Sequence, residues 1–308
     1  GSRLLRGNHP AHEALEAYAA DFFGAEAAMF MATGYLANLA LLTTLPQRGD
    51  ALLLDGLIHA SSKEGAHASF AQTLKFAHND VQSCEAAIRS ARAKGAKGLW
   101  IAVESVYSMD GDCAPLDDFM ALCDRYDAYL IVDEAHGTGV HGVQGRGLSE
   151  AYEGRENLIA LHTCGKALGQ AGALLTLPKI MQQTLINKGR SFIYTTAPSP
   201  LAAVAVQAAL EVIAEEPERR QALQDRIHLA HRLFPESGTT QPTQILPLIL
   251  GEEGKAVAYA QALQAQGFDI RAIRTPTVPK GQARLRLSVT LNATSDHVEA
   301  LAAAYRAL

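Results

Sequence analysis

Positive charge is not in excess in this sequence. Lys and Arg number 27 against 32 Asp and Glu, a formal charge of -5, and no basic stripe interleaved with aromatics interrupts that balance. A phosphate-backbone footprint is therefore absent, and nucleic acid is not an expected partner. Long hydrophobic runs are lacking too: the longest, such as "YLIV" and "ALLL", are far too short to cross a bilayer. No charged segment followed by an apolar stretch opens the chain, so no leader is read there, and the expected location is the cytoplasm. Cysteine is scarce, with Cys84, Cys113, Cys123 and Cys164 forming no C-x-x-C pair and no metal spacing. Reduced thiols in a reducing compartment are the expectation.

What is present is the profile of a compact soluble protein, 48% hydrophobic and 19% charged. Residue 1 is Gly, and "GSRLLRGNHPAHEALE" reads as the interior of a fold running into a helix. Ala11, Leu15, Tyr18 and Phe22 recur at three- and four-residue steps before Gly24, which predicts an amphipathic helix over about residues 9 to 23. A second helix is expected in "LANLALLTTL". Apolar runs then alternate with helical stretches: "ALLLD", "TLKFA", "GLWIAVE", "AYLIVDE", "NLIALHT" and "GALLTLP". Continuous apolar strands alternating with helices predict an α/β fold, a mostly parallel sheet covered on both faces. After "TTAPSP" the texture changes to a long Ala-rich helix, with the charged "EEPERRQALQDR" continuing the helical pattern. Beyond it "TQILPLILG", "KAVAYAQALQAQG", "FDIRAI", "ARLRLSV" and a last helix capped at "TSD" predict a smaller α+β domain. The expected domains are residues 1 to 200 and 201 to 308.

The chemistry concentrates at strand ends. In "AYLIVDEAHGTGVHGVQGRG" an apolar strand runs into a glycine-rich loop at Asp133 and His136, the place where a doubly wound sheet binds ligands. The "DEAH" run suggests a nucleotide-dependent ATPase, but that needs a G-x-x-x-x-G-K-[ST] loop. Here Ala160 and Ala167 occupy the Gly and Ser/Thr positions around "GK". Metal binding is not supported either, because no first shell completes His136 and His141. The remaining reading joins Asp133 to Lys166, which stands in "HTCGKALG" after the next strand. A lysine amine forms a Schiff base with an aldehyde cofactor such as pyridoxal phosphate, whose ring nitrogen needs an anionic partner.

Five ordered stretches, "HTCGKALGQAGAL", "VDEAHGTGVHGVQGRG", "VESVYSMDGDCAPL", "DGLIHASSKEGA" and "IRTPTVPKGQARLRLSVT", resemble the α-oxoamine synthases, pyridoxal-phosphate enzymes of fold type I. The resemblance spans essentially the whole chain. It implies a large cofactor-binding domain with a mostly parallel seven-stranded sheet and a smaller C-terminal domain. It makes Lys166 the Schiff-base lysine, Asp133 the partner of the pyridine nitrogen, and His136 a hydrogen-bond partner of the phenolic oxygen, with Ser108 near that oxygen. His59 would stack on the ring face opposite the incoming amino acid and counts among the catalytic and substrate-binding residues. Thr163 and the N–H groups of Gly34 and Tyr35 would bind the phosphate, while Thr195 and Thr196 would reach the phosphate of a second subunit, so a homodimer is implied. Arg286 matches the arginine that holds the amino-acid carboxylate, with Arg274 a second candidate. "AHGTGV", "FAHND" and "IRTPTVP" are similar to the branch that condenses L-alanine with a pimeloyl thioester, on coenzyme A or a carrier protein, in biotin biosynthesis. Sister branches use glycine or serine, and a non-catalytic relative would lack the lysine. The resemblance also implies that an N-terminal segment of the family, part of the acyl-chain entrance, is missing.

Plainer readings stand beside these. Arg284 and Arg286 are i and i+2 on one strand and share a face, so either could serve a surface ion pair. "MDGD" could be only a turn. Cys164 has no His and Asn or Asp partner pattern and reads as a small packing residue. His9, His12, His78 and His141 read as structural.

Overall fold

The computed structural model describes residues 1 to 239 and 241 to 308, which form two compact units. The first holds Gly1–Ser105 and Ala114–Glu215; the second holds Val106–Cys113 and Glu216–Leu308.

In the first unit, helix α1 (Pro10–Phe23) starts with Pro at its first turn behind the cap His9 and ends where Gly24 turns left-handed, at φ 72°. Strand β1 (Ala27–Met31) follows, then α2 (Gly34–Thr44), capped by Thr33. The chain continues through β2 (Ala51–Asp55), α3 (Ala60–His67), β3 (Gln72–Phe76), α4 (Val81–Ala93) and β4 (Leu99–Glu104). After α5 (Leu116–Tyr126) come β5 (Tyr129–Asp133), β6 (Leu158–Thr163) and β7 (Ala173–Leu177), then α6 (Lys179–Lys188), α7 (Arg190–Ile193) and α8 (Pro200–Glu215).

The seven strands form one sheet in the order β1-β7-β6-β5-β4-β2-β3. Strands β3, β2, β4, β5 and β6 are parallel neighbours, while β7 lies antiparallel to both β6 and β1. This is the mostly parallel sheet that the apolar runs predict. Both faces are covered. Leu52, Leu54, Leu41 and Leu161 belong to one cluster, and Leu15, Phe23, Phe30 and Leu174 to another, built with α1 and α8. Burying an aliphatic side chain of this kind contributes about 1.5–3 kcal/mol. The parallel direction brings the carboxyl ends of β2, β4, β5, β6 and β1 to one edge of the sheet.

In the second unit, β8 (Ile245–Gly251), β10 (Ala283–Ser288) and β9 (Arg271–Ile273) make an antiparallel sheet in the order β8-β10-β9. Helices α9 (Pro217–Leu233), α10 (Glu253–Gln264) and α11 (Ser295–Arg306) complete it, the last capped by Thr294. The charged stretch does not simply prolong the Ala-rich helix. Pro217 has no N–H to donate and opens a new helix at its first turn.

Candidate active site

Asp133 ends β5 and is 6% exposed. Its Oδ1 accepts the Ala135 N–H at 3.0 Å, and its Oδ2 accepts from Asn38 Nδ2 at 3.0 Å. Burial pushes this carboxyl above its ordinary range, and the Asn38 and Ala135 hydrogen bonds counter that rise only in part. An acceptor-only group buried with two neutral donors has room for a cationic N–H.

Asn38 reaches the site from the second turn of α2. The same Nδ2 lies 3.0 Å from Ser61 Oγ, and Ser61 Oγ lies 2.8 Å from His59 Nδ1. His59 follows β2 as the cap of α3, where its Nδ1 accepts the Ser61 N–H at 3.2 Å, and its ring is otherwise exposed. The pair His59 and Asp133, far apart in sequence, is thereby joined through two side chains. Neither Asn38 nor Ser61 is among the residues that the sequence points to. The available signal was a polar residue within the apolar helix run "LANLALL", where Asn38 is only 2% exposed.

One strand over, Thr163 ends β6, and its register partner Ala173 pairs in turn with Met31 at the end of β1. That ladder brings the start of α2 against Thr163: a Cβ on Gly34 would stand 2.5 Å from Thr163 Cγ2. Thr163 Oγ1 is buried and has no hydrogen-bond partner among the described residues. Beside it lies a helix amino end whose first N–H groups, Gly34 and Tyr35, have no acceptor within the helix. The Tyr35 hydroxyl donates to Glu64 and its side chain is exposed, so only its backbone faces this task.

Lys166 sits in the turn from Cys164 to Gly172 that joins β6 to β7, closed by Gln170 N–H to Cys164 O at 2.9 Å and Gly169 N–H to Lys166 O at 3.1 Å. Its side chain is exposed. Cys164 beside it is fully buried, and burial pushes its thiol up to about 12, so it packs and does not act as a nucleophile.

After β5 the chain turns through His136, with the Gly137 and Thr138 N–H groups both donating to Glu134 O at 3.0 Å. Glu134, fully buried, anchors the glycine-rich loop by accepting Ser105 Oγ–H at 2.5 Å and Ser149 N–H at 2.6 Å. His162 is structural: it stacks on Phe23 and hydrogen-bonds Thr138 and Thr176. His12 is also buried, with Nε2 2.8 Å from Pro198 O. Thr195 is half-buried and Thr196 exposed, in the segment between α7 and α8.

The second unit holds Ser108, Arg274, Arg284 and Arg286. Arg284 and Arg286 do share a face of β10, and both reach the segment Val106–Cys113. Arg284 is 3% exposed, with Nη1 2.5 Å from Asp110 Oδ1 and 3.3 Å from Met109 O, so it is the ion-paired arginine. Arg286 donates Nε–H to Ser108 O at 2.6 Å and Nη1–H to Ser288 Oγ at 2.7 Å. Burial pulls its guanidinium below the usual value. Arg274 is exposed and lies just after β9.

A family model described as aminotransferase class I and II matches residues 1–304. The chain belongs to this family. The 8-amino-7-oxononanoate synthase of Chromobacterium violaceum is 43% identical to it over 305 residues, covering 97% of this chain and 78% of that protein. Among solved structures of the family's fold, serine palmitoyltransferase of S. paucimobilis with a bound PLP-myriocin aldimine superposes with a TM-score of 0.93 at 27% identity. That match covers 100% of this chain and 78% of the other. The 8-amino-7-oxononanoate synthase of Francisella tularensis gives a TM-score of 0.84 at 28% identity, covering 97% and 87%. The fold is thus the pyridoxal-phosphate-dependent transferase fold, and it is this class I and II sheet that carries Asp133, Thr163 and Lys166 to one edge.

Proposed function

We propose that the chain binds pyridoxal phosphate and catalyses the decarboxylative condensation of L-alanine with a pimeloyl thioester, giving 8-amino-7-oxononanoate, carbon dioxide and free thiol, a step of biotin biosynthesis. The observation that carries this reading is the buried Asp133 carboxylate at a strand end, tied to His59 and one strand away from the turn that carries Lys166. Relatives named 8-amino-7-oxononanoate synthase at 43% and 38% identity, each over 97% of the chain, support the choice of branch.

The residues fit the cofactor. Thr163 Oγ1, buried and unpaired among the described residues beside the amino end of α2, suits a phosphate oxygen. Asp133 is short of positive charge, which a protonated pyridine nitrogen supplies. When bound, the cofactor provides an aldehyde that takes up an amine and a protonated ring that accepts the electron pair left at Cα. Lys166 would hold it through its side-chain amine and would move the proton at the substrate Cα. Asp133 would keep the cofactor's ring nitrogen protonated. His59 would stack on the cofactor ring, and His136 and Ser108 would hold its phenolic oxygen. Arg286, held by Ser108 O and Ser288 Oγ, would be the ligand for the alanine carboxylate, with Arg274 a second candidate for it. Proton transfer by a placed side chain contributes about 10²- to 10⁴-fold.

Higher TM-scores to serine palmitoyltransferases favour a second reading, in which serine is the amino acid. Backbone likeness is shared across the fold, and the 43% sequence identity weighs more for the branch. A visible-absorbance titration separates them: the band formed with added pyridoxal phosphate is expected to change with L-alanine and not with serine or glycine. Borohydride should fix the label at position 166, and Lys166→Ala should lose the band and turnover. A label elsewhere, or turnover by that variant at the parent rate, overturns the proposal.

A homodimer belongs to the same reading. Tyr194, Leu201 and Val204 are 73%, 76% and 55% exposed around Thr195 and Thr196, which suits a site completed by a second copy.

A further inference from the structure

We infer that Asn38 is a positioning residue of this site, whose amide group fixes the rotamer of Asp133 and, through Ser61, the tautomer of His59 at the same time. The inference rests on the reading of Asp133 and His59 as cofactor contacts for what it does, but not for how it is built.

The direction of every hydrogen bond follows from chemistry. An ionised carboxylate only accepts, so Asn38 must turn its N–H₂ group toward Asp133 Oδ2, 3.0 Å away. The reverse amide orientation would set a carbonyl oxygen against the carboxylate. With one hydrogen spent there, the second lies toward Ser61 Oγ, also 3.0 Å away. Ser61 Oγ therefore accepts, and its own hydrogen is left to donate to His59 Nδ1 at 2.8 Å. The Ser61 backbone N–H also points at Nδ1, at 3.2 Å. Two donors aimed at one nitrogen require that nitrogen to be bare, so the ring proton resides on Nε2.

Burial makes the arrangement strict. Asn38 and Ser61 are 2% and 1% exposed, so water does not offer either group a substitute partner. The arrangement sits on rigid elements, with Asn38 inside α2 and Ser61 in the first turn of α3. Asn38 provides the largest stabilisation of the Asp133 anion against its desolvation. The consequence is a site ordered before ligand arrives: the carboxylate is aimed, and the imidazole that faces the ring presents Nε2–H, not a second acceptor.

Two measurements test it. In cofactor-free protein, ¹⁵N spectra of the imidazoles should find His59 Nδ1 unprotonated at neutral pH, with its resonance displaced in both Asn38→Ala and Ser61→Ala. A proton on Nδ1 in the parent, or a resonance unmoved by both substitutions, overturns the inference. Ser61→Ala keeps this test alive should Asn38→Ala fail to fold. The second measurement is pyridoxal phosphate affinity in a double-mutant cycle with Asp133→Asn. Asn38→Ala should weaken binding about 10- to 100-fold in the parent, the range for one hydrogen bond to a charged group, and have little effect when residue 133 is already neutral. Equal losses in both backgrounds would make Asn38 merely structural and sink the idea. If Asp133→Asn alone leaves affinity untouched, it is the functional reading of Asp133 that fails, and the imidazole spectra decide the inference by themselves.

Discussion

Asp133 and Glu134 are adjacent buried acids with opposite facing and different tasks, and both have carboxyls pushed up by desolvation. A carboxyl raised in the folded state binds its proton more tightly there than in the unfolded chain. Its contribution to stability is then fully present below the unfolded pKa and is lost as pH rises through the folded one. For Glu134 the loss is offset by hydrogen bonds that hold the glycine-rich loop. On the proposed reading, Asp133 instead keeps its cost for the sake of a ligand, a common trade at functional sites. Cofactor-free Asp133→Asn is accordingly expected to melt above the parent at neutral pH, with the gap closing as pH falls to the ordinary carboxylate range. Saturating pyridoxal phosphate should reverse the order, because it stabilises most the protein that binds it most tightly. Thermal melts across pH, with and without cofactor, check both halves; a pH-independent gap would mean that packing, and not the charge, sets it.

At the scale of elements, the approach of α2 to β6 is the tightest feature of the proposed phosphate site. A methyl on Gly34 would lie 2.5 Å from Thr163 Cγ2, so either the helix start or Thr163 must move. Gly34→Ala should cost about 1–3 kcal/mol, as overpacking does, and should weaken cofactor binding by more than a distant substitution of equal cost. Urea unfolding and absorbance titration of the same variant separate the two effects. Elements of this kind were unevenly legible in the sequence. Strands β2 and β4 to β7 are continuous apolar runs because both faces are buried, whereas the edge strand β3, "QTLKF", is mostly exposed; the runs "ALLLD" and "NLIALHT" coincide with β2 and nearly with β6. Strand β1, "AAMFM", escapes notice: two alanines and two methionines carry little β preference, and its burial comes from β7, which is remote in sequence. Lys166 and Asp133 are legible as charges where apolar strands stop. Asn38 and Ser61 are not, because their roles depend on which face of α2 and α3 meets the sheet edge, and the local pattern does not encode that.

At the scale of the molecule, helix α8 is apolar on both sides. Ala203, Val206 and Leu210 are buried against α1 and the sheet, while Leu201, Val204 and Val212 stay exposed on the other side. An exposed apolar stripe opposite the buried one suits a partner surface. The segment just before it carries Thr195 and Thr196, the residues proposed to reach the phosphate held by a second copy, so the exposed stripe and the proposed shared site fall at one place in the chain. A closed two-fold pair buries such a stripe against its own image, whereas an open arrangement would leave one copy bare at each end. Leu201→Arg combined with Val204→Glu is therefore expected to convert the proposed dimer to monomers in sedimentation, at unchanged far-ultraviolet circular dichroism. The same variant should bind pyridoxal phosphate at least about 10-fold more weakly, because each phosphate loses one or two hydrogen bonds to a charged group. Thr196→Ala should reproduce part of that loss without dissociating the dimer. A monomeric variant with parental affinity would place the whole phosphate site within one chain, and Thr195 and Thr196 would then have no part in it.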